Sequence, residues 1–486
     1  MPEGRPNIVY LLNDHQAYYR HGWDQGPRVA RPRFERLAAE GAVFERAYCA
    51  APLCSPARRS MLTGVYPHRH GEIKNDIRHP YDLETYLDTL NHAGYAQYYY
   101  GKWHAGEGTA HDHGCEGFNY PSYNNPYTKP EYRAYLERMG LPEPEVLIEK
   151  SFDNSGKEGV EDGRRYRQSA EWCNEHAAGT LLTPSATHEA FFLANLAREK
   201  LAELASSGDD RPFSLRVDFW GPHQPYFPSQ EFADLYDPSS IPVYPNYDDS
   251  LEDKPAVYLS EGNRRIGKDG KLIRPNPVPW PEWQLILARA YAQITLVDAA
   301  AGIVLDALEE FGFAENTMVL WTTDHGDALA CHGGHFDKRS YMPEEMIRVP
   351  MALRFPGRVA PGQHRRELVN NVDVGPTILD AAGAKFPHEP DGRSLLGLVG
   401  DGASSSWRTS VVTETFGHAE DVVGRALVRD RYKYVWYSGF GEELYDLVVD
   451  PYEMHNLVKD PAHHRMLEEM RSELQAWRVE HADSAQ

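Results

Sequence analysis

Two Asp-His pairs stand where a sheet could use them. Asp14-His15 follows the apolar, β-rich run Asn7 to Leu12, and Asp324-His325 follows Thr317 to Thr323. The carboxyl ends of such strands form the ligand-binding edge of an α/β sheet. Two acidic strand ends so far apart in sequence converge only in the fold, and a bound divalent cation would offset their repulsion. Carboxylates suit calcium, which takes oxygen ligands; imidazoles favour manganese, zinc or iron. Each aspartate alone reads more often as a loop-starting residue. The third candidate is a thiol nucleophile, Cys54, in Pro52-Leu53-Cys54-Ser55-Pro56-Ala57-Arg58. Alone, a Cys-x-Pro-x-Arg pattern also describes a buried cysteine beside a turn proline. Lys102 and His104, then His223, then Lys338 add cations and imidazoles on segments between the two pairs or just beyond them. A single loop histidine or lysine is usually just solvated, so their joint order carries the weight.

The elements needed to position these groups can be read from periodicity. Asn7 to Leu12, Phe213 to Phe219 and Thr317 to Thr323 are short apolar runs of buried-strand type. A helix follows Arg31-Pro32 and ends near Gly41. Ile286 to Leu308 has helical spacing, with Val297, Ala300, Ile303, Val304 and Leu308 on one face. Strands alternating with helices over most of the chain predict an α/β domain with a largely parallel sheet flanked by helices, residues 1–390. Past Gly400 the segments 409–415, 422–429 and 432–437 are closely spaced strands, followed by an amphipathic helix with Leu467, Met470, Leu474 and Trp477 on one stripe. They predict a smaller antiparallel-sheet-plus-helix subdomain, residues 391–486, with the boundary near Pro390 to Ser406. The stretch from Asn119 to about Asp162, rich in Tyr, Pro and Asn, reads as a surface excursion.

Composition narrows the partners. A formal net charge of -22 over 486 residues would repel nucleic acid and anionic membrane alike. An anionic small substrate then needs a local cluster of cations. The five cysteines are an odd, scattered set that does not resemble a disulfide framework. Apart from Cys54 they read as small buried hydrophobes. No apolar run of the roughly 20 residues that a membrane helix requires is evident. Met1 to Pro6 shows neither a basic region nor an apolar core of a leader, so a cytoplasmic location is expected.

The segment from Pro52 to Gly64, ending Leu62-Thr63-Gly64, resembles the signature of the sulfatase family, in which the Cys-x-Pro-x-Arg core is recognised by the enzyme that oxidises cysteine to formylglycine. Gly101-Lys102-Trp103-His104 partly resembles the second sulfatase signature, with Gln97 and Tyr100 departing from it. Gly221-Pro222-His223-Gln224-Pro225 resembles the family's Pro-His-x-Pro loop. Lys338 lies fourteen residues after Asp324, where many members place a substrate-binding lysine. Glu443 to Leu447, with Asp450-Pro451-Tyr452-Glu453 and Asn456-Leu457, resembles the family's C-terminal motif.

The resemblance implies a formylglycine at position 54 and one divalent metal held by Asp14, Cys54, Asp324, His325 and, at an unusual position, His15, which reads equally well as lying just outside the ligands. Calcium is the family's metal, and the histidines also admit manganese or zinc. It further implies that Arg58 and Lys102 stabilise the hydrated nucleophile and the anion, that His104 takes a proton during sulfate release, and that Lys102, His223, Lys338 and Asn75 contact the substrate. A small-molecule or carbohydrate sulfate ester is the expected substrate, and the formylglycine-generating enzyme a maturation partner; oligomeric state stays open. A phosphonate monoester or phosphodiester hydrolase with the same nucleophile is the nearest alternative, since that sister group also lacks the second aspartate. Its members carry neutral hydroxyl residues where this chain has Lys102 and His104. A binding protein that never receives the modification is a third reading. His111, His113 and Cys115 form a further His/Cys grouping, but their spacing is not a usual zinc arrangement.

Overall fold

A computed structural model describes residues 5–18, 28–124, 126–151, 161–168, 176–259, 278–400, 406–418 and 421–485. Cys173 and part of the 119–162 stretch lie outside the described residues. Eight strands form the central sheet: β1 (Asn7–Asp14), β2 (Ala42–Phe44), β3 (Ala96–Lys102), β4 (Glu116–Tyr120), β5 (Phe213–Pro222), β6 (Thr317–Thr323), β7 (Met351–Arg354) and β8 (Gln363–Arg365). Their order is β8-β2-β7-β6-β1-β5-β3-β4. Only β7 runs antiparallel to its neighbours.

Side chains of a strand alternate between faces, and β1 buries both. Ile8, Tyr10 and Leu12 enter one hydrophobic core, while Val9 and Leu11 enter the other. That explains why β1 reads as a continuous apolar run rather than an alternating one. On the second face lie α1 (Pro32–Ala39), α3 (Glu189–Ser207) and α4 (Trp280–Glu310). α1 has no side-chain cap of its own. Asp298 of α4 instead accepts the N–H groups of Arg33 and Phe34 at 2.9 Å each, filling part of the deficit at a helix start. By length and composition α4 could cross a bilayer, which corrects the sequence reading. In the fold 78% of its most apolar window is buried, so its hydrophobicity is spent on the core.

Beyond residue 406, β9 (Ser410–Thr415), β10 (Gly424–Arg429), β11 (Tyr432–Tyr437) and β12 (Gly441–Asp446) form an antiparallel meander. One face, with Val411, Ala426, Val428 and Val435, continues the main core. The other, with Val412, Leu427 and Leu444, packs on Leu467, Met470 and Leu474 of α5 (His464–Glu480). The α/β class and the antiparallel C-terminal sheet with its helix are those expected. The fourth strand, β12, was not anticipated, because its residues read first as a motif.

The 119–162 stretch departs from the surface excursion expected. It carries a helix, Pro130–Met139, whose Tyr132, Tyr135 and Leu136 are buried at i, i+3 and i+4. A strand, Glu145–Ser151, pairs with Arg165–Arg167 and Ala177–Leu181.

Candidate active site

Register explains why the two Asp-His pairs meet. β1 and β6 are adjacent and parallel, pairing Asn7 with Thr317 through to Asn13 with Thr323. The next residues, Asp14 and Asp324, therefore leave the sheet side by side. His15 N–H donates to Asp324 Oδ1 at 3.0 Å, and His325 N–H donates to the same oxygen at 2.9 Å. Asn371 fixes the turn by donating to Asp324 O at 2.7 Å.

Cys54 is the first residue of helix α2 (Cys54–Thr63), all ten residues of which are buried. The helix starts without a capping side chain from its own N-cap residue, Leu53. Asn75 fills that role from the following segment, accepting Ser55 N–H at 2.9 Å. Asn75 thus holds the helix start that presents Cys54, and the helix dipole at this end favours an anion. Arg58, one turn on, lies on the same face. Its guanidinium donates to Asp324 at 2.8 Å, to Asp218 at 2.9 Å and to Lys102 O at 3.0 Å. Three carboxylates outweigh the cost of burying this cation: Asp324, Asp14 and Asp218 raise its pKa although burial alone would lower it.

Cys54 Sγ lies 3.1 Å from His325 Nε2 and 3.6 Å from Asp14 Oδ1. Asp14, Cys54, Asp324 and His325 each bring one ligand atom within 4.8 Å of the others, all buried. His325 Nδ1 meets Gly326 O at 2.8 Å, which places the ring proton there and leaves the Nε2 lone pair facing the cluster. Burial holds this imidazole below its ordinary pKa, in the neutral form that metals take. These donors fit one divalent cation. Asp14 is paired with Lys102. Burial would raise its pKa, but Lys102, Arg58 and Lys338 together hold it well below the usual carboxylate range. The backbone before Lys102 tolerates only glycine: a Cβ on Gly101, at φ 120°, would sit 1.9 Å from Asp218 O.

His15 belongs to the other half of the site. It groups with His223 and Asp337 rather than with the four donors around Cys54. Its Nε2 is 3.6 Å from Asp327 and 3.7 Å from Asp337, and its ring packs 4.7 Å from that of His223. Lys338 Nζ lies 2.7 Å from His223 Nε2 and 3.3 Å from Asp337. His223 Nδ1 meets Gln224 O at 2.6 Å, so its proton sits on Nδ1 and Nε2 accepts from the lysine. Burial, then Lys338 and Lys102, keep this ring well below its ordinary pKa. His104, at the left-handed φ of 40°, has Nε2 3.5 Å from Asp76. Its ring lies 6.0 Å from that of Tyr123, and the Lys102 ammonium sits 4.3 Å over the same tyrosine.

Three participants escaped sequence reading. Asp218 binds Arg58, Arg216 and Tyr99, and Asp327 and Asp337 flank His15. The signal for Asp218 was present: Arg216 and Asp218 are two charges inside a strand read as wholly buried, and buried charges require partners. His111, His113 and Cys115 separate by function. His113 pairs with Asp88 at 3.0 Å and stacks on Trp103, while His111 meets Cys115 O. Two further aromatics are engaged elsewhere: Trp436 lies in the C-terminal sheet under Arg478, and Tyr226 donates to Asp327.

Residues 6–384 match the Sulfatase family profile, and residues 331–480 match that of N-sulphoglucosamine sulphohydrolase, C-terminal. The choline-sulfatase of Rhizobium meliloti (strain 1021) is 28% identical over 485 residues, covering 95% of this chain and 84% of that protein. An N-acetylglucosamine-6-O-sulfatase of Bacteroides thetaiotaomicron is 25% identical over 511 residues, covering 93% and 82%. The phosphonate monoester hydrolase of Agrobacterium radiobacter has the same fold, with a TM-score of 0.77 at 20% identity over 98% of this chain and 96% of that one. Since the family match spans the helix that begins at Cys54 and both Asp-His strand ends, the chain belongs to the sulfatase family of the alkaline phosphatase superfamily and is a sulfuric ester hydrolase.

Proposed function

We propose that the protein hydrolyses a sulfate ester through a formylglycine made from Cys54, with one divalent metal held by Asp14, Asp324, His325 and residue 54. The observation that carries this is the placement of Cys54 Sγ among those three donors at a helix N-terminus. When present, the hydrated formylglycine supplies two hydroxyls, one to attack sulfur and one to release sulfate, and the metal supplies Lewis-acid stabilisation of charge on oxygen.

The chain's own side chains do the rest. Arg58, tied to Asp324, Asp218 and Lys102 O, keeps residue 54 and its carboxylate neighbours in register. Lys102 and Lys338 add the positive charge that a sulfate needs in a protein of net charge -22. His104 Nε2 faces Asp76 at 3.5 Å, a carboxylate that would stabilise the ring once it takes the proton lost as sulfate leaves. The proton between Lys338 Nζ and His223 Nε2 is available to the departing alkoxide. Because Cys54 is fully buried, the formylglycine-generating enzyme would meet this segment before the chain folds.

The test is a parallel assay of modified enzyme on 4-nitrophenyl sulfate and a 4-nitrophenyl phosphonate monoester, with mass spectrometry of the Cys54 peptide. Preference for the sulfate is expected. A large preference for the phosphonate would assign the protein to the sister activity, and an unmodified thiol in material from the native host would favour a binding role.

A further inference from the structure

A cavity of about 60 Å³, partly open to solvent, adjoins the catalytic groups. His223 forms part of its wall. Tyr123 spans both compartments, with its ring 5.4 Å from that of His223 and 4.3 Å from Lys102 Nζ. Trp220 Nε1 donates to Tyr123 O at 2.7 Å, which ties the tyrosine segment to the end of β5. The rings of Tyr123, Tyr127, Trp220 and Phe227 line the cavity.

Its polar lining includes Gln293 and His223, which are hydrogen-bonded, and two side chains with unpartnered atoms that the substrate can meet. Gln224 is 2% exposed, and neither its amide oxygen nor its nitrogen has a hydrogen-bond partner among the described residues. Glu189, at the start of α3, is 5% exposed, and its Oε2 also lacks one. Burial pushes the Glu189 carboxyl up to about 8, so near neutral pH it is mainly an uncharged donor and acceptor. None of the described lining residues is lysine or arginine.

These features discriminate among leaving groups. A second sulfate or a carboxylate on the substrate would find no counter-charge here. A quaternary ammonium would suit the rings but leave both ends of the Gln224 amide unpaired, which costs the desolvation of each buried group. A hydroxylated ring satisfies both requirements, with hydroxyls to the amide and carboxyl and an apolar face to the aromatics. We propose that this cavity seats the leaving group, and that Gln224 and Glu189 select an uncharged, polyhydroxylated one. This rests on the sulfate-ester reading above.

The test uses modified, metal-loaded enzyme with glucose 6-sulfate, choline sulfate, glucosamine 2-N,6-O-disulfate and 4-nitrophenyl sulfate. Glucose 6-sulfate should exceed choline sulfate and the disulfate in kcat/KM by about tenfold or more, the discrimination expected when buried hydrogen-bonding groups are matched rather than stranded. Gln224→Leu should lower kcat/KM for glucose 6-sulfate about tenfold more than for 4-nitrophenyl sulfate, chiefly through KM. Should that variant fail to fold, calorimetric binding of free glucose to the wild-type holoenzyme, competitive with 4-nitrophenyl sulfate, supplies the same answer. Preference for choline sulfate or the disulfate, equal losses on both substrates, or no binding of glucose would overturn the assignment. Loss of all sulfate turnover with glucose still bound would overturn the sulfate-ester reading and leave the cavity assignment standing.

Discussion

Asp14, Cys54, Asp324 and His325 bring their ligand atoms within 4.8 Å of one another, and so do His332, Glu345 and Glu453. Both clusters are buried, and both mix imidazole with carboxylate. The second is a seam. Lys433 of β11 pairs with Glu453, His332 meets Asp249 at 2.9 Å, and Glu453 accepts Glu344 N–H at 2.7 Å. Its carboxyl groups face Lys433 and His332 across the junction between the C-terminal sheet and the α/β domain. In the first cluster the counter-ions Arg58 and Lys102 stand behind the carboxylates, leaving the thiol and the His325 lone pair turned inward. The lesson is that residue types alone do not make a site. What separates the clusters is position, at two parallel strand ends and a helix N-terminus in one case and between packed elements in the other.

The largest effect should come from Cys54→Ala. Turnover should fall on the order of 10⁴-fold or more, as for other nucleophile deletions, while stability changes by about 1 kcal/mol. Single-turnover kinetics and urea melts check both halves. A variant that unfolds instead would erase the contrast between the clusters. Lys433→Met is the mirror experiment. It strands Glu453 beside Glu344 in a buried seam and should cost about 3–5 kcal/mol of stability, read as a lower urea midpoint. Turnover per folded molecule should hardly move; a loss of kcat at full folding would make the seam part of the active site.

Asp218→Asn tests where the catalytic cluster ends. The amide keeps the shape but removes the charge that faces Arg58 and Arg216. A fall of about 10- to 100-fold in kcat is expected, since misplacing a positioned group costs roughly 1.4 kcal/mol per decade. An unchanged kcat with lower stability would put Asp218 on the structural side of the comparison.

How much of this was legible in sequence follows the same division. The strand runs ending at Asp14 and Asp324 announced themselves because strands buried on both faces are continuously apolar. Cys54 and Arg58 were legible through the resemblance of their segment to the sulfatase signature, and the structure sets them one turn apart on α2. The split between His15 and the Cys54 donors was not, because it depends on a left-handed backbone at residue 15 (φ 64°) that turns the ring toward His223. The C-terminal motif was found, but its role was not. Asn456 accepts Leu444 N–H and donates to Glu442 O, while Glu453 docks the seam, so these residues hold the sheet in place. The cavity beside His223 was hidden because its walls come from segments far apart, Tyr123, Glu189, Trp220 and Gln224 among them.

The smallest effect separates the clusters by protons. Burial, with Glu344 nearby, pushes the Glu453 carboxyl up to about 7 despite Lys433, whereas Asp14 is held low by its cations. A carboxyl raised on folding binds its proton more tightly in the native state. Its contribution to stability is therefore fully present below the ordinary carboxylate pKa and is lost as pH rises through about 7. Glu453→Gln removes that dependence while keeping the side chain's shape. Urea midpoints of wild type and variant should accordingly converge or cross in the variant's favour between pH 5 and about 7.5, the window the raised pKa sets. Parallel pH profiles for the two proteins would mean that Glu453 is ionised throughout. The seam would then be an ion-pair network of the same charge state as the catalytic cluster, and position alone would have to account for their difference.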